Sequence, residues 1–397
     1  MATAGGSGGG NASSLETPAR HATLETPARG GGSGGADAGA FLADALTKAG
    51  IMDADSARAY GSLFSRYMRQ QRRATLDWSK ISPPSRDMLV DYAALEACPP
   101  HEPLQHELLN KIAIVKLNGG LGTSMGCRGP KSAIHVRSGH TFLDLTVRQV
   151  EWLNARHGVD VPLVLMNSFR THESTVRLLN KYQSHAVTIT CFEQSCYPRV
   201  DRDHYTPVPV APYSRETEEG WAPPGHGDVY RALDRSGVLD ALLAQGKEIA
   251  FISNIDNLGA SVDLNIINYL VSTDAGFAME VRGGGRQVCA RHYRRRNGVA
   301  WLHTHASVIS HHLLCRRCCA QVTDKTRSDV QGGTLIQYES KVKLLELAQV
   351  PREHQQDFKS LRTFTCFNSA WGGGCGWARS ASGRRRVCAR TSSQPAL

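Results

Sequence analysis

The spacing of apolar residues changes several times along the chain, and each change marks an element. Phe41, Leu42 and Leu46 recur at helical spacing from about Ala40. Ala57, Tyr60, Leu63, Phe64 and Tyr67 do so again after Asp53, so an N-terminal helical segment is expected over 39–110. Within it, the Pro pair that closes Trp78–Pro84 marks a connector. From Ile112 the period shortens: Ile112-Ala-Ile-Val-Lys-Leu117 is a brief apolar run ending in glycines, as expected of a strand buried on both faces. Val161–Met166, Val187–Phe192 and Glu248–Ser253 read the same way. Leu143, Val147, Val150 and Leu153 place a helix over 141–156 that stops before Gly158, and His172–Tyr182 and Val262–Val271 supply two more. Strands alternating with helices predict an α/β fold with a parallel sheet covered on both faces. In such a sheet the ligand sits at the carboxyl ends of the strands.

Composition narrows the class. No apolar run approaches the roughly 18 to 20 residues of a membrane span, and no basic segment precedes an apolar stretch at the N-terminus. Neither a membrane partner nor a secretory leader is therefore expected. Residues 1–38 are rich in Gly, Ser and Ala and repeat Leu-Glu-Thr-Pro-Ala-Arg at 15–20 and 24–29. Such a stretch buries too little apolar area to offset chain entropy, and a disordered tail is expected there. The formal net charge is +10, but eight arginines and no acid lie between Arg282 and Gln321, and five more with no acid between Trp371 and Leu397. The remainder is mildly acidic, so the overall charge gives no reason to expect a nucleic-acid partner. Six of the eleven cysteines (Cys289, Cys315, Cys318, Cys319, Cys375 and Cys388) fall in those two basic stretches. The other five are scattered, which suits a reducing, cytoplasmic location better than a disulfide framework.

The densest chemical signal opens where the first apolar run closes. Lys116-Leu-Asn-Gly-Gly-Leu-Gly-Thr-Ser-Met-Gly-Cys-Arg-Gly-Pro-Lys-Ser132 carries glycines at 119, 120, 122, 126 and 129. Glycines after a strand let the backbone approach a ligand and turn amides toward phosphate oxygens. The loop is not a Walker A motif, because Pro130 separates Gly129 from Lys131. Nor is it a dinucleotide fingerprint, because Gly126 follows Gly120-x-Gly122 one residue too late. Elsewhere, His226 is wedged between Gly225 and Gly227, with little core to join. Asp256 follows a strand terminus, where a carboxylate can hold Mg²⁺ through one bond plus waters or, alternatively, cap the helix that starts near Val262.

This loop, with Met166-Asn-Ser-Phe169, Gln194-Ser-Cys-Tyr-Pro198, Pro224-Gly-His-Gly-Asp228, Ser253-Asn-Ile-Asp-Asn-Leu-Gly259, Lys325-Thr-Arg and Gly332-Gly-Thr-Leu-Ile-Gln-Tyr338, resembles the eukaryotic UDP-glucose pyrophosphorylases (UTP–glucose-1-phosphate uridylyltransferases). The motifs occur in family order over Phe41–Val281 and Val322–Asn368. Enzymes for hexosamine and other UDP-sugars carry Ala in place of Asn118. The resemblance implies a nucleotidyltransferase-type mixed sheet of Rossmann-like topology over 111–368. It also implies transfer of uridylyl from UTP to glucose 1-phosphate, giving UDP-glucose and pyrophosphate with Mg²⁺ as cofactor. Leu117, Asn118, Gly119 and Gly120 would line the uridine and phosphates with backbone amides, the two glycines also facing the sugar phosphate. Lys131 would stabilise charge at the α-phosphorus as the catalytic residue. Gln194 would match the uracil edge, and Gly225 would let the backbone approach uracil. His226, Asn254, Ile255 and Asp256 would meet the glucose 1-phosphate side, with Asp256 also the metal ligand and a nucleotide contact. Two alternatives stay open: a pyrophosphorylase for another UDP-sugar, and a non-catalytic UTP- or sugar-phosphate-binding fragment.

The chain departs from the family pattern twice. After Met279-Glu-Val281 the pattern resumes only near Thr323. The intervening stretch begins with a Val codon and ends with a Gln codon, which can hold intron borders, and it is skewed to Arg and Cys. Residues 281–321 are therefore expected to be an unrelated, intron-like insertion. Within it, Cys315-x-x-Cys318 with nearby histidines lacks a second pair at zinc-finger spacing, and its arginine runs lack interleaved aromatics. After Asn368 the chain turns into a basic, non-family tail over 369–397. The family's C-terminal β-helix, with its oligomer contacts and a further phosphate-binding lysine, is expected to have no counterpart in these residues. Low turnover by these 397 residues alone is the expectation.

Overall fold

The computed structural model describes residues 35–72, 77–82, 89–122, 126, 129–201, 206–208, 211–273, 276–282, 286–291, 317–324, 334–339, 341–345, 350–356 and 366–367. Outside them lie the expected tail up to residue 34, the bulk of the Cys/His- and Arg-rich insertion at 292–316, the Lys325-Thr-Arg motif and the 369–397 tail. The chain divides into two compact units. One takes residues up to Gln70 together with Pro198–Gly220, and the other takes Gln71–Tyr197 and Trp221 onward.

In the first unit, α1 spans Gly35–Lys48 and α2 spans Ala54–Arg72. α1 begins inside the stretch read from sequence as tail, because Ala36, Ala38 and Ala40 favour extending the helix back from Phe41 despite the intervening glycine. Asp53 Oδ1 accepts from the amides of Asp55 and Ser56 at 3.1 and 2.9 Å and so starts α2. The apolar stripe of Leu42, Leu46, Ala57, Tyr60 and Phe64 is buried. The Tyr60 hydroxyl donates to Pro198 O at 3.0 Å, tying the Pro198–Gly220 segment to α2.

The second unit is built on a mixed sheet in the order Ile81–Ser82, Thr334–Tyr338, Cys366–Phe367, Arg317–Asp324, Ile249–Asn254, Ile112–Asn118, Leu163–Asn167 and Ile189–Glu193. The strands from 317–324 to 189–193 run parallel along that path. Their alternation decides the layers, since neighbouring residues face opposite sides. Ile112, Ile114, Leu163, Leu165, Ile249 and Phe251 pack with α3 (Glu102–Asn110), α4 (Phe142–His157), α5 (His172–Leu179) and the helix Leu264–Ser272. Ala113, Val115, Leu117, Val164, Met166, Ala250 and Ile252 face α6 (Val229–Arg235) and α7 (Val238–Ala244). The parallel sheet covered on both faces thus stands as expected. Element ends move by one or two residues from the sequence reading.

Two boundaries differ more. Gln71–Asn110 sorts with the sheet rather than with α1 and α2. There, Leu89–Asp91 is a strand and Tyr92 donates to Asp263 Oδ2 at 2.8 Å, so local pairing overrides helical continuation. The two ends of 281–321 lie in strands. Arg286–Arg291 pairs antiparallel with Phe277–Arg282, and Arg317–Asp324 pairs parallel with Ile249–Asn254. Among the described residues no helix is long and apolar enough to cross a membrane.

Candidate active site

The parallel strands end together at Asn118, Asn167, Glu193 and Asn254, and Leu117–Gly120, Gln194 and Asn254–Asp256 lie at or just past three of those ends. The glycine loop is a narrow return. Gly122 N donates to Gly129 O at 2.9 Å and Lys131 N to Gly120 O at 3.1 Å, which brings Lys131 back over Gly120. Lys131 Nζ then reaches Asp256 Oδ2 at 3.0 Å, with side chains 15% and 9% exposed. The candidate catalytic cation and the candidate metal carboxylate thus satisfy one another.

Gly119 meets Gln194. A Cβ on Gly119 would stand 2.1 Å from Gln194 Nε2, so glycine is what lets the Gln194 amide take this position. Gln194 is 4% exposed, its amide N–H donates to Asn167 O at 2.9 Å, and its side-chain Oε1 is buried with no hydrogen-bond partner among the described residues. A buried amide oxygen left unmatched beside a bare backbone is a place where a ligand donor is missing. Gly225 has φ +98°, a left-handed value that favours glycine, and opens the short 3-10 turn His226–Asp228. Ser195 N donates to Asp228 Oδ2 at 2.6 Å and Arg235 Nη1 to Ser195 Oγ at 2.9 Å, so the Gln194 loop and the His226 turn are held to each other.

Asp256 does not cap a helix. Asp263 does, accepting from the amides of Asn265 and Ile266 at 2.9 and 3.3 Å. Asp256 sits instead in the turn after Ile249–Asn254, whose Ile255 amide donates to Leu117 O at 3.2 Å. The side chains of Leu117 and Ile255 lie in the core, 3% and 1% exposed, so only their backbone can serve a ligand. Asn118 likewise turns inward: its Nδ2 donates to Asn167 Oδ1 at 2.7 Å and Thr175 Oγ1 at 3.0 Å. Ser168 Oγ donates to Gly119 O at 2.8 Å, and Thr171 Oγ1 to Asn118 O at 2.9 Å. This network fixes the loop's first residues from below. It was not foreseen, although Asn167 and Ser168 lie in a motif that the sequence displays.

Lys116 was also passed over. It lies in the central strand, 2% exposed, with Nζ donating to Ser253 Oγ at 2.8 Å. Burial pushes its ammonium down to about 8, while the Asp256 carboxylate works against that fall. A lysine interrupting Ile112-Ala-Ile-Val is itself the signal that could have found it. Among the described residues no cluster of three His, Cys, Asp or Glu could hold a metal. Among the described candidate residues Asp256 offers a carboxylate, a donor suited to Mg²⁺ carried mainly by phosphates.

Comparison with known proteins converges on one family. Residues 57–285 and 306–371 match the family described as UTP--glucose-1-phosphate uridylyltransferase, and the match breaks only inside the stretch read as an insertion. A probable UTP--glucose-1-phosphate uridylyltransferase from Schizosaccharomyces pombe is 45% identical over 309 residues, 78% of this chain and 52% of its own length. The UTP--glucose-1-phosphate uridylyltransferase of Hordeum vulgare is 42% identical over 328 residues, 83% of this chain and 60% of its own. The chain thus spans about half the length of the curated relatives it matches. Among solved structures, a UDP-glucose phosphorylase from Trypanosoma brucei aligns with TM-score 0.61 at 28% identity, covering 85% of this chain and 62% of that one. A UDP-glucose pyrophosphorylase variant from Leishmania major, in complex with UDP-glucose, aligns with TM-score 0.59 at 25% identity, covering 86% and 63%.

Proposed function

The chain belongs to the UTP--glucose-1-phosphate uridylyltransferase family, and on that premise we propose that its site binds UTP and glucose 1-phosphate and transfers uridylyl between them. The observation that carries the reading is Gln194. Its unmatched Oε1 suits the N3–H donor of uracil, and its Nε2 can donate to a uracil carbonyl, while Gly119, lacking a Cβ, lets that amide lie against the loop. Cytosine is an acceptor at the same ring position, so in the same pose it would set N3 against Oε1 and its amino group against Nε2.

The phosphates would follow along the glycine loop. The carbonyls of Gly119 and Gly120 are engaged by Ser168 and Lys131, which leaves backbone N–H groups as what this corner offers an anion. An incoming triphosphate competes with Asp256 for Lys131. Once Lys131 turns to phosphate, the released Asp256 carboxylate fits Mg²⁺, which would neutralise phosphate charge when bound. An oxygen of the glucose 1-phosphate phosphate attacks the α-phosphorus of UTP, and the bond from that phosphorus to the bridging oxygen breaks. Pyrophosphate leaves with the electron pair. The nucleophile is already an anion, so no general base is required; positioning and charge stabilisation by Lys131 carry the rate. His226, on the turn held to the Gln194 loop, serves the sugar-phosphate side. Thiols rather than disulfides at Cys98, Cys191 and Cys196 suit action in the cytoplasm.

The test mixes the purified chain with Mg²⁺, UTP and one of glucose 1-phosphate, galactose 1-phosphate or N-acetylglucosamine 1-phosphate. UDP-sugar and pyrophosphate should form in equal amounts, chiefly from the glucose compound, at whatever rate these residues sustain. Binding of UTP without pyrophosphate release would refute transfer by this chain and leave a nucleotide-binding site.

A further inference from the structure

Lys116 and Ser253 are direct partners in the pairing of the two central parallel strands. That pairing is complete in its backbone from Ile112–Ile249 to Leu117–Asn254, so the strands need no ammonium between them. A charge here is costly to bury and has to find compensation. It finds it at both ends of one turn. Nζ donates to Ser253 Oγ at 2.8 Å and reaches Ala260 O at 3.5 Å, and between those residues lies the turn that carries Asp256. Inside the turn, Asn257 N donates to Asn254 O at 3.1 Å and Ala260 N to Asn257 O at 3.3 Å, and Gln149 Nε2 holds Leu258 O at 3.0 Å from α4.

We propose that Lys116 is a positioning residue: from beneath the site it clamps both ends of the 253–260 turn, and so holds Asp256, which that turn carries, where Lys131 and a ligand meet it. The clamp stands on the geometry alone; its consequence for ligand binding rests on the UTP reading given above.

The test compares the wild-type chain with Lys116→Met, which keeps the length and removes the charge, and with Ser253→Ala, which removes one contact. Amide hydrogen exchange reads the clamp without any nucleotide. In Lys116→Met the amides of Ile255, Asn257 and Ala260 should exchange about tenfold faster while those of Ile114 and Val115 stay protected. Ser253→Ala should move the same amides less, and it carries this arm if Lys116→Met does not fold. Unchanged exchange at 254–260 would overturn the clamp. Calorimetric titration with UTP and Mg²⁺ reads the consequence. Lys116→Met should weaken binding about tenfold, and combining it with Asp256→Asn should weaken it no further than Asp256→Asn alone. Additive losses would show that Lys116 does not act through Asp256. A wild-type chain that ignores UTP would instead refute the functional reading, with the exchange result still deciding the clamp.

Discussion

Replacing Gly119 by alanine perturbs the candidate base site by a single methyl. That methyl would lie 2.1 Å from Gln194 Nε2 and 3.3 Å from its Cδ, but an ordinary 3.5 Å from Ser168 Cβ. The atoms in the way are the far end of a side chain, so the backbone can stay and Gln194 must swing aside. An off-rotamer glutamine costs about 0.5–1.5 kcal/mol, which lowers the melting midpoint by no more than a few degrees. The loss in binding is larger. With the amide displaced, the buried uracil edge goes unmatched, at roughly 1–3 kcal/mol, or about 5- to 150-fold in affinity. Gly119→Ala should therefore weaken UTP strongly, relax its discrimination from CTP and leave folding nearly intact. Adding Gln194→Ala to it should change little more. Calorimetry with both nucleotides and a thermal melt measure all three quantities. UTP affinity within twofold of wild type would refute the reasoning, as would full additivity of the two substitutions.

Three further outcomes are expected. Lys131→Ala removes the cation from Asp256 and from the transferring phosphate, so turnover should fall more than the KM for glucose 1-phosphate rises; initial-rate kinetics check the split. Burial raises the Asp144 carboxyl, but hydrogen bonds from Lys181, Tyr182 and Thr141 overcome this and hold it below the usual carboxylate range. A depressed carboxylate stabilises the fold above its unfolded value near 3.9 and loses that contribution as pH falls. Asp144→Asn should therefore cost about 1.5–3 kcal/mol at pH 7, and the deficit should shrink below about pH 4 in urea titrations. Tyr60→Phe deletes the bond to Pro198 O and should cost about 0.5–1.5 kcal/mol, read as a lower melting midpoint.

The parts of the fold legible in the sequence were those written in one period. Ile112–Leu117 and Glu248–Ser253 announce buried strands by continuous apolar runs, and Thr141 to Gly158 carries a cap, a stripe and a stop. Thr141 and Asp144 do form a capping box, and Gly158 ends α4. Leu89–Asp91 was not legible, because three residues hold no period and the strand exists through a partner at 287–289. Within the site, the glycine loop, Lys131, Gln194 and Asp256 could be read because their chemistry and motif order are local. What the sequence withheld was which way side chains turn. Asn118, Leu117 and Ile255 bury their side chains in the interior, so only their backbone is left to face a ligand. Lys116, Ser195 and Asp228 act by contacts across strands and loops, where spacing along the chain carries no information.

The central claim is that Gln194 beside Gly119 reads a uracil. It is tested most directly by calorimetric titration of the purified chain and of Gln194→Ala with UTP and with CTP, both with Mg²⁺. UTP should bind the unaltered chain at least about tenfold more tightly than CTP, the worth of one unmatched buried polar group, and the preference should vanish in Gln194→Ala. Equal affinities in the unaltered chain, or a preference that survives the substitution, would contradict the account.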